Sequence, residues 1–156
     1  VGYIKYACDV SAPVDVAFAY TDNPLAIPHW MFGVTDCTPH EGTPSGQGAL
    51  FTLRFRFLLW RLVLTCEIVE YRHDAVIGYA IRSRLNPRLT LRFDPLGPGR
   101  SVLTSELNYA QPGGIIGRLA DRGIYAILGA ALRRSESHLR REIEEFHGTD
   151  IVGRVP

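Results

Sequence analysis

The fold is decided in one stretch, YAQPGGIIGRLADRG, residues Tyr109 to Gly123. It joins a segment of strand character to one of helix character through a proline and four glycines. A glycine inside a helix costs roughly 1 kcal/mol relative to alanine, so glycines where the longest helical pattern begins need a reason.

Upstream of the junction, apolar residues recur with period two. Ile4, Tyr6, Cys8 and Val10 alternate with polar neighbours, as do Phe51, Leu53, Phe55 and Phe57 against Thr52, Arg54 and Arg56. The same alternation runs through Leu62, Leu64, Cys66 and Ile68, then Ile77, Tyr79, Ile81 and Ser83. It continues through Leu89, Leu91 and Phe93, and ends with Leu103, Ser105, Leu107 and Tyr109. Successive alternating strands predict an antiparallel sheet with one dry face and one wet face. After the first strand, SAPVDVAFAY predicts a short helix, with Ser11 placed to cap and Pro13 near the first helical position. LAIPHWM predicts a second short helical piece.

Downstream of the junction the period changes. From about Ile115 to Phe146, the residues Ile116, Leu119, Ile124, Ile127, Leu128, Leu132, Leu139, Ile143 and Phe146 recur at threes and fours. Arginines and glutamates fill the positions between, and Gly148 is the expected stop. No repeat or linker divides the chain, so residues 1–156 form one α+β domain. Only one long helix is available to cover the apolar face of about seven strands.

Two passages resemble the START-like (SRPBCC) superfamily, which includes polyketide cyclases/dehydrases and lipid-transfer proteins. VSAPVDVAFAYTDNPLAIPHW resembles the superfamily's opening, and PGGIIGRLADR its junction between last strand and closing helix. The resemblance implies a helix-grip fold, in which a strongly curved antiparallel sheet wraps around one long C-terminal helix and leaves a cavity between them. On that reading Pro112, Gly113 and Gly114 allow the sharp turn into the helix. Gly117, Gly123 and Gly129 thin the helix, for close packing on strands or for room beside a ligand.

Composition narrows the partners. Of 156 residues 46% are hydrophobic and 21% charged, and the formal charge is +1, so no nucleic-acid partner is expected. No run approaches the roughly 20 apolar residues of a membrane span. Cys8, Cys37 and Cys66 are an odd number without CxxC spacing, which predicts free thiols and a cytoplasmic setting.

Nucleophile-elbow, HExxH and phosphate-loop patterns are absent from the sequence, and the five histidines have no metal-ligand spacing. No metal or cofactor is expected. Glu67 and Glu106 share parity with the wet face, which assigns them a solvated role. Arginines and glutamates of residues 133–145 predict a solvated face with i,i+4 pairs. Arg118 and Arg122 either share that face or meet an acidic headgroup at the cavity entrance.

Two functions remain open. One is a carrier or sensor for a small hydrophobic molecule, such as a lipid, polyketide or isoprenoid. The other is a cyclase, aromatase or dehydrase acting in the same cavity, a reading that needs proton-moving groups at the ligand. The catalytic candidates are His29, Tyr79 and Tyr109. The expected cavity lining comprises Trp30, Phe51, Leu53, Phe55, Phe57, Leu64, Cys66, Ile77, Tyr79, Ile81, Leu91, Phe93, Ser105, Leu107 and Tyr109 from the strands and short helices. Ile116 and Leu119 complete it from the long helix, and the void is expected beneath Ile116 to Ile127.

Overall fold

The computed structural model describes residues 2–110 and 114–153, the side chains of 114–121 and 149–153 excepted. Seven antiparallel strands form one sheet: β1 (Gly2–Val10), β2 (Val34–Pro39), β3 (Leu50–Phe57), β4 (Trp60–Arg72), β5 (Val76–Arg82), β6 (Arg88–Pro95) and β7 (Ser101–Tyr109). Their order is β1-β7-β6-β5-β4-β3-β2, so the first strand returns beside the last and the rest follow as a meander. Between β1 and β2 lie α1 (Val14–Thr21), a 3₁₀ turn (Pro24–Ala26) and α2 (Ile27–Trp30). The long helix α3 runs Gly114–Gly153 and packs on β1, β7, α1 and α2. This is the helix-grip architecture.

The alternation fixes the sheet's inner face. Ile4, Phe51, Leu53, Cys66, Ile77, Leu91, Phe93 and Leu103 are all buried there, against Leu132, Leu139 and Ile143 of α3. The wet-face carboxylates lie outside and find partners. Glu67 accepts from Arg82 at 3.1 Å and Glu106 from Arg92 at 3.0 Å. Arg140 and Glu144 form the expected i,i+4 pair at 3.5 Å.

Parity reverses once within β4. The register with β5 shifts between Ile68 and Glu70, leaving Val69 as the extra residue of a β-bulge. Ile68 before the bulge and Tyr71 after it are both packed inward, and Glu70 is turned out. Gly78 lies opposite Glu70, and a Cβ there would sit 2.9 Å from the Glu70 Cβ.

Three expectations about the helices need correction. Ser11 does not cap α1. Pro13 occupies the N-cap position and the Ser11 amide donates to the Glu144 carboxylate at 2.8 Å. Gly148 does not end α3, which continues to Gly153. It lacks the positive φ of a helix-ending glycine, and nothing lies within 4 Å of where its Cβ would be. Ile127 and Phe146 are 54% and 42% exposed. At 100° per residue, Ile127 points away from the stripe that carries Leu128 and Leu132. Phe146 lies at the helix's outer end, where its ring meets Tyr20 at 5.6 Å.

The helical glycines divide by position. A Cβ on Gly129 would stand 3.4 Å from the Tyr6 hydroxyl and 3.9 Å from Ile4, so this glycine faces β1 at a spacing that a methyl group would fill in ordinary contact. Gly123 faces open space. Gly117 and the junction residues Gln111–Gly113 lie outside the described side chains.

The inner face of the β3–β4 hairpin loses its cover toward the tip. Phe51 and Leu53 are buried, whereas Phe57 is 41% and Trp60 67% exposed. The tip is a two-residue turn, Leu58-Leu59, in which Leu58 takes φ 55°. Left-handed backbone costs a branched residue about 1–2 kcal/mol, and hairpins of this length ordinarily place glycine or asparagine there.

The glycine assignments are testable by thermal unfolding. Gly78→Ala is expected to lower stability by about 1–3 kcal/mol through the clash with Glu70. Gly123→Ala is expected to raise it by about 1 kcal/mol, or roughly 2–4 °C in Tm for a chain of this size. A Gly123→Ala variant that unfolds earlier would mean that the helix needs its glycine for something other than shape.

Candidate functional site

A cavity of about 650 Å³ lies between the sheet and α3. Phe55 of β3, Leu62 and Leu64 of β4, Ile81 of β5, Leu89 of β6 and Leu107 of β7 form its sheet wall. Leu128, Ala131, Leu132 and Ser135 of α3 form the opposite wall. Met31 and Phe32, which follow α2, and the β5–β6 turn (Ser83, Arg84, Leu85, Pro87) close the sides. Among the described residues, Ser83, Arg84 and Ser135 are the polar members of the lining.

Three contacts hold this wall in place. The Phe32 amide donates to Ser135 Oγ at 2.9 Å, which ties the loop after α2 to α3. The Phe32 ring then meets Phe57 edge-on at 6.0 Å, with the Arg134 guanidinium 5.7 Å from its centre. Met31 and Phe32 are thereby fixed beside the β3–β4 hairpin.

Of the expected lining, Phe55, Leu64, Ile81 and Leu107 meet at this cavity. Leu53, Cys66, Ile77, Leu91 and Phe93 are buried in the packed core away from it, because alternation selects a face without telling how far along each strand the helix stands off. Phe51 instead borders a smaller depression of about 360 Å³ with Asp22, His40 and Tyr71. Phe57 packs on Phe32 outside the lining. Ser105 is buried, and its Oγ finds no hydrogen-bond partner among the described residues. Among the described residues of α3, those facing the void are Leu128, Ala131, Leu132 and Ser135, and the side chains of Ile116, Arg118 and Leu119 lie outside the described residues. Arg122 is exposed.

The three catalytic candidates do not converge on the cavity. His29 is exposed beside a shallow depression that also holds Arg56, His138 and Arg141. Trp30 is 1% exposed, with its indole 6.2 Å from the Tyr79 ring, so both belong to the core beneath α2. Burial pushes the Tyr79 hydroxyl well above the ordinary tyrosine range, and nearby Cys66 and Asp22 push it further. Tyr109 is buried on the β1 side, its ring filling the space that a Cβ of Gly2 would need.

The residues missed by sequence reading sit mainly in turns. Met31, Phe32, Arg84, Leu85 and Pro87 lie outside any alternating run, so no periodicity points to them, whereas Ser83 ends the run of β5. Leu62 and Leu89 were legible, because each continues the alternation of its own strand.

All three cysteines are free. Burial drives Cys66 up to about 12 and Cys37 to about 11. Cys8 rises to about 12, first through burial and then through its hydrogen bond to the Glu136 carboxylate.

Comparison with known proteins agrees with this geometry. Residues 4–144 match the sequence pattern of a family described as polyketide cyclase/dehydrase and lipid transport. No curated protein matches by sequence. An aromatase/cyclase from Streptomyces shares the fold at a TM-score of 0.76 and 15% identity, over 92% of this chain and 93% of that one. A START superfamily protein from Mycobacterium smegmatis has a TM-score of 0.73 at 14% identity, over 92% and 97%. A di-domain ARO/CYC protein of the steffimycin pathway matches at 0.73 and 16% identity, over 96% of this chain and 51% of that one. At such identities the likeness is one of fold.

Thiol chemistry checks the burial of the inner face. With pKa values raised this far, the thiolate at pH 8 is about a thousandth or less of each cysteine. Native protein is expected to label with an alkylating reagent at least a hundredfold more slowly than a free thiol, and denatured protein to yield all three thiols. Rapid native labelling of Cys66 would show the core to be open.

Proposed function

The chain belongs to the polyketide cyclase/dehydrase and lipid-transport family, and on that premise we propose that it carries a small apolar molecule in the cavity between sheet and α3. The ligand class is a lipid, polyketide or isoprenoid. The observation that carries this reading is the cavity: about 650 Å³, walled by leucine, isoleucine, phenylalanine and methionine, with few polar groups. Its volume falls within the roughly 300–1,000 Å³ of small-molecule sites, and sparse polar groups suit a ligand oriented by one or two hydrogen bonds. Burying ~200 Å² of apolar ligand surface contributes on the order of 5 kcal/mol before ordering costs. Phe55, Leu64, Ile81 and Leu107 are the proposed sheet-side contacts, with Met31, Phe32, Leu128 and Leu132 opposite.

Cyclase-type catalysis is the second reading, and Arg84 favours it. It is the one charged side chain among the described lining residues, and Ser83 stands beside it. A guanidinium offers hydrogen-bond donors and no acceptor, so Arg84 suits orienting or stabilising an oxyanion rather than serving as a base. A general base near neutral pH calls for histidine or a carboxylate, and the described lining supplies neither. The carrier reading is therefore the one we adopt.

A neutral apolar fluorophore such as N-phenylnaphthylamine tests it by titration. Wild-type protein is expected to bind with little dependence on salt. Ala131→Trp, which fills the cavity from α3, is expected to weaken binding at least tenfold while holding or raising Tm. Tyr79→Phe is expected to leave affinity within a few fold. Arg84→Ala should likewise spare the neutral fluorophore, and a hundredfold loss of turnover in that variant would establish the cyclase reading instead. Unchanged binding in Ala131→Trp would place the site elsewhere.

A further inference from the structure

The β3–β4 hairpin breaks the pattern of the rest of the surface. Leu58, Leu59, Trp60 and Val63 are 75%, 99%, 67% and 66% exposed, in a run that also carries Arg54, Arg56 and Arg61. Between Leu50 and Cys66 the sequence contains no acidic residue. Arg56 and Arg61 are direct cross-strand partners, an arrangement in which like charges repel. Neither has a carboxylate within ion-pair distance among the described residues, and Asp36, across from Arg54 on β2, forms no ion pair with it. The neighbouring depression adds His29, His138 and Arg141 beside Arg56, with no acidic group among its described residues.

The register sorts these side chains. Directly opposed residues share a face, so Phe57 with Trp60 and Phe55 with Leu62 form successive apolar rungs on the inner face. Arg56 and Arg61 form the rung between them on the outer face. Phe55 and Leu62 are cavity wall, and Leu62 is half exposed. The Phe57–Trp60 rung lies about 7 Å further toward the tip, two residues along an extended strand. An apolar track therefore runs from the cavity to a bare leucine-leucine-tryptophan tip, backed by arginines.

Each feature is unfavourable in water alone. Leu58 holds a left-handed backbone that glycine would adopt without strain, two arginines face each other, and several large apolar side chains are solvated. All become favourable against a surface that is apolar inside and anionic at its edge. Tryptophan suits that boundary because its ring is apolar and its N–H polar.

We propose that the β3–β4 hairpin docks on an anionic lipid bilayer, with Leu58, Leu59 and Trp60 entering the acyl boundary and Arg54, Arg56 and Arg61 at the lipid phosphates. The cavity then opens toward the membrane along the Phe57–Trp60 rung. An acidic protein partner would satisfy the arginines but leaves the exposed leucine turn unexplained.

Flotation with vesicles of phosphatidylcholine, with and without about one third phosphatidylglycerol, tests this whether or not the cavity binds anything. The docking claim and the carrier claim therefore fail separately. Wild-type protein is expected to float with the anionic vesicles, less so at high salt, with a blue shift of tryptophan emission that Trp60→Phe removes. Leu59→Asp, at a site in full contact with water, is expected to cost at least tenfold in partitioning. Arg56→Glu would gain an ion pair with Arg61, so thermal stability should hold or rise. Vesicle affinity should nevertheless fall, by about thirtyfold for reversal of one interfacial charge. Absence of flotation overturns the proposal, as does flotation unchanged in both variants. Self-association in sedimentation that Leu59→Asp abolishes, without flotation, would overturn it too and assign the tip to a second copy of the chain.

Discussion

One long helix must cover a seven-stranded sheet, and that mismatch governs the molecule. Seven strands at about 4.8 Å spacing span roughly 29 Å, whereas a helix with its side chains is about 10–12 Å across. The sheet meets the shortage by curving. α3 packs on β1 and β7 at one end, and α1 and α2 also lie against it. The middle strands β3 to β6 curl over the helix and stand off from it around residues 128–135, and the space between is the cavity. Its apolar character follows directly, because its walls are the inner face of the alternating strands and the inner stripe of α3.

The same constraint explains what the sequence made legible. Period-two alternation needs only the local chain and the presence of one dry face, so strand positions and inward residues such as Phe55, Leu64, Ile81 and Leu107 could be read directly. The change of period after Tyr109 likewise announced the covering helix. Depth could not be read this way. Leu53, Phe55 and Phe57 share one strand face, yet one lies in packed core, the next on the cavity wall and the third near the solvated tip. Where along a strand the helix stands off depends on sheet curvature, which no single segment encodes. Turn residues were invisible for a related reason, since Arg84 and Phe32 reach the cavity from segments without periodicity.

The tyrosines illustrate the cost of reading polarity alone. Tyr79 and Tyr109 were conspicuous as hydroxyls on a dry face, and the structure uses both rings as packing volume, one under Trp30 and one over Gly2. The bulge at Val69 acts in the same spirit at the level of the backbone. It reverses parity so that Tyr71 turns inward, where its hydroxyl donates to Asp22 at 2.9 Å, and Glu70 turns out. In contrast, the β3–β4 tip departs from local rules without repayment inside the chain. A leucine at positive φ and an arginine facing an arginine are the places where sequence and fold disagree, and such disagreements concentrate at functional surfaces.

The central claim is that the space left between sheet and helix holds an apolar molecule. Native mass spectrometry of freshly purified protein, repeated after incubation with a neutral apolar compound and followed by solvent extraction, measures this most directly. The account predicts one adduct per chain that partitions into organic solvent and is lost when the cavity is filled from α3. A bare chain under both conditions, or an adduct that stays in water, would contradict it.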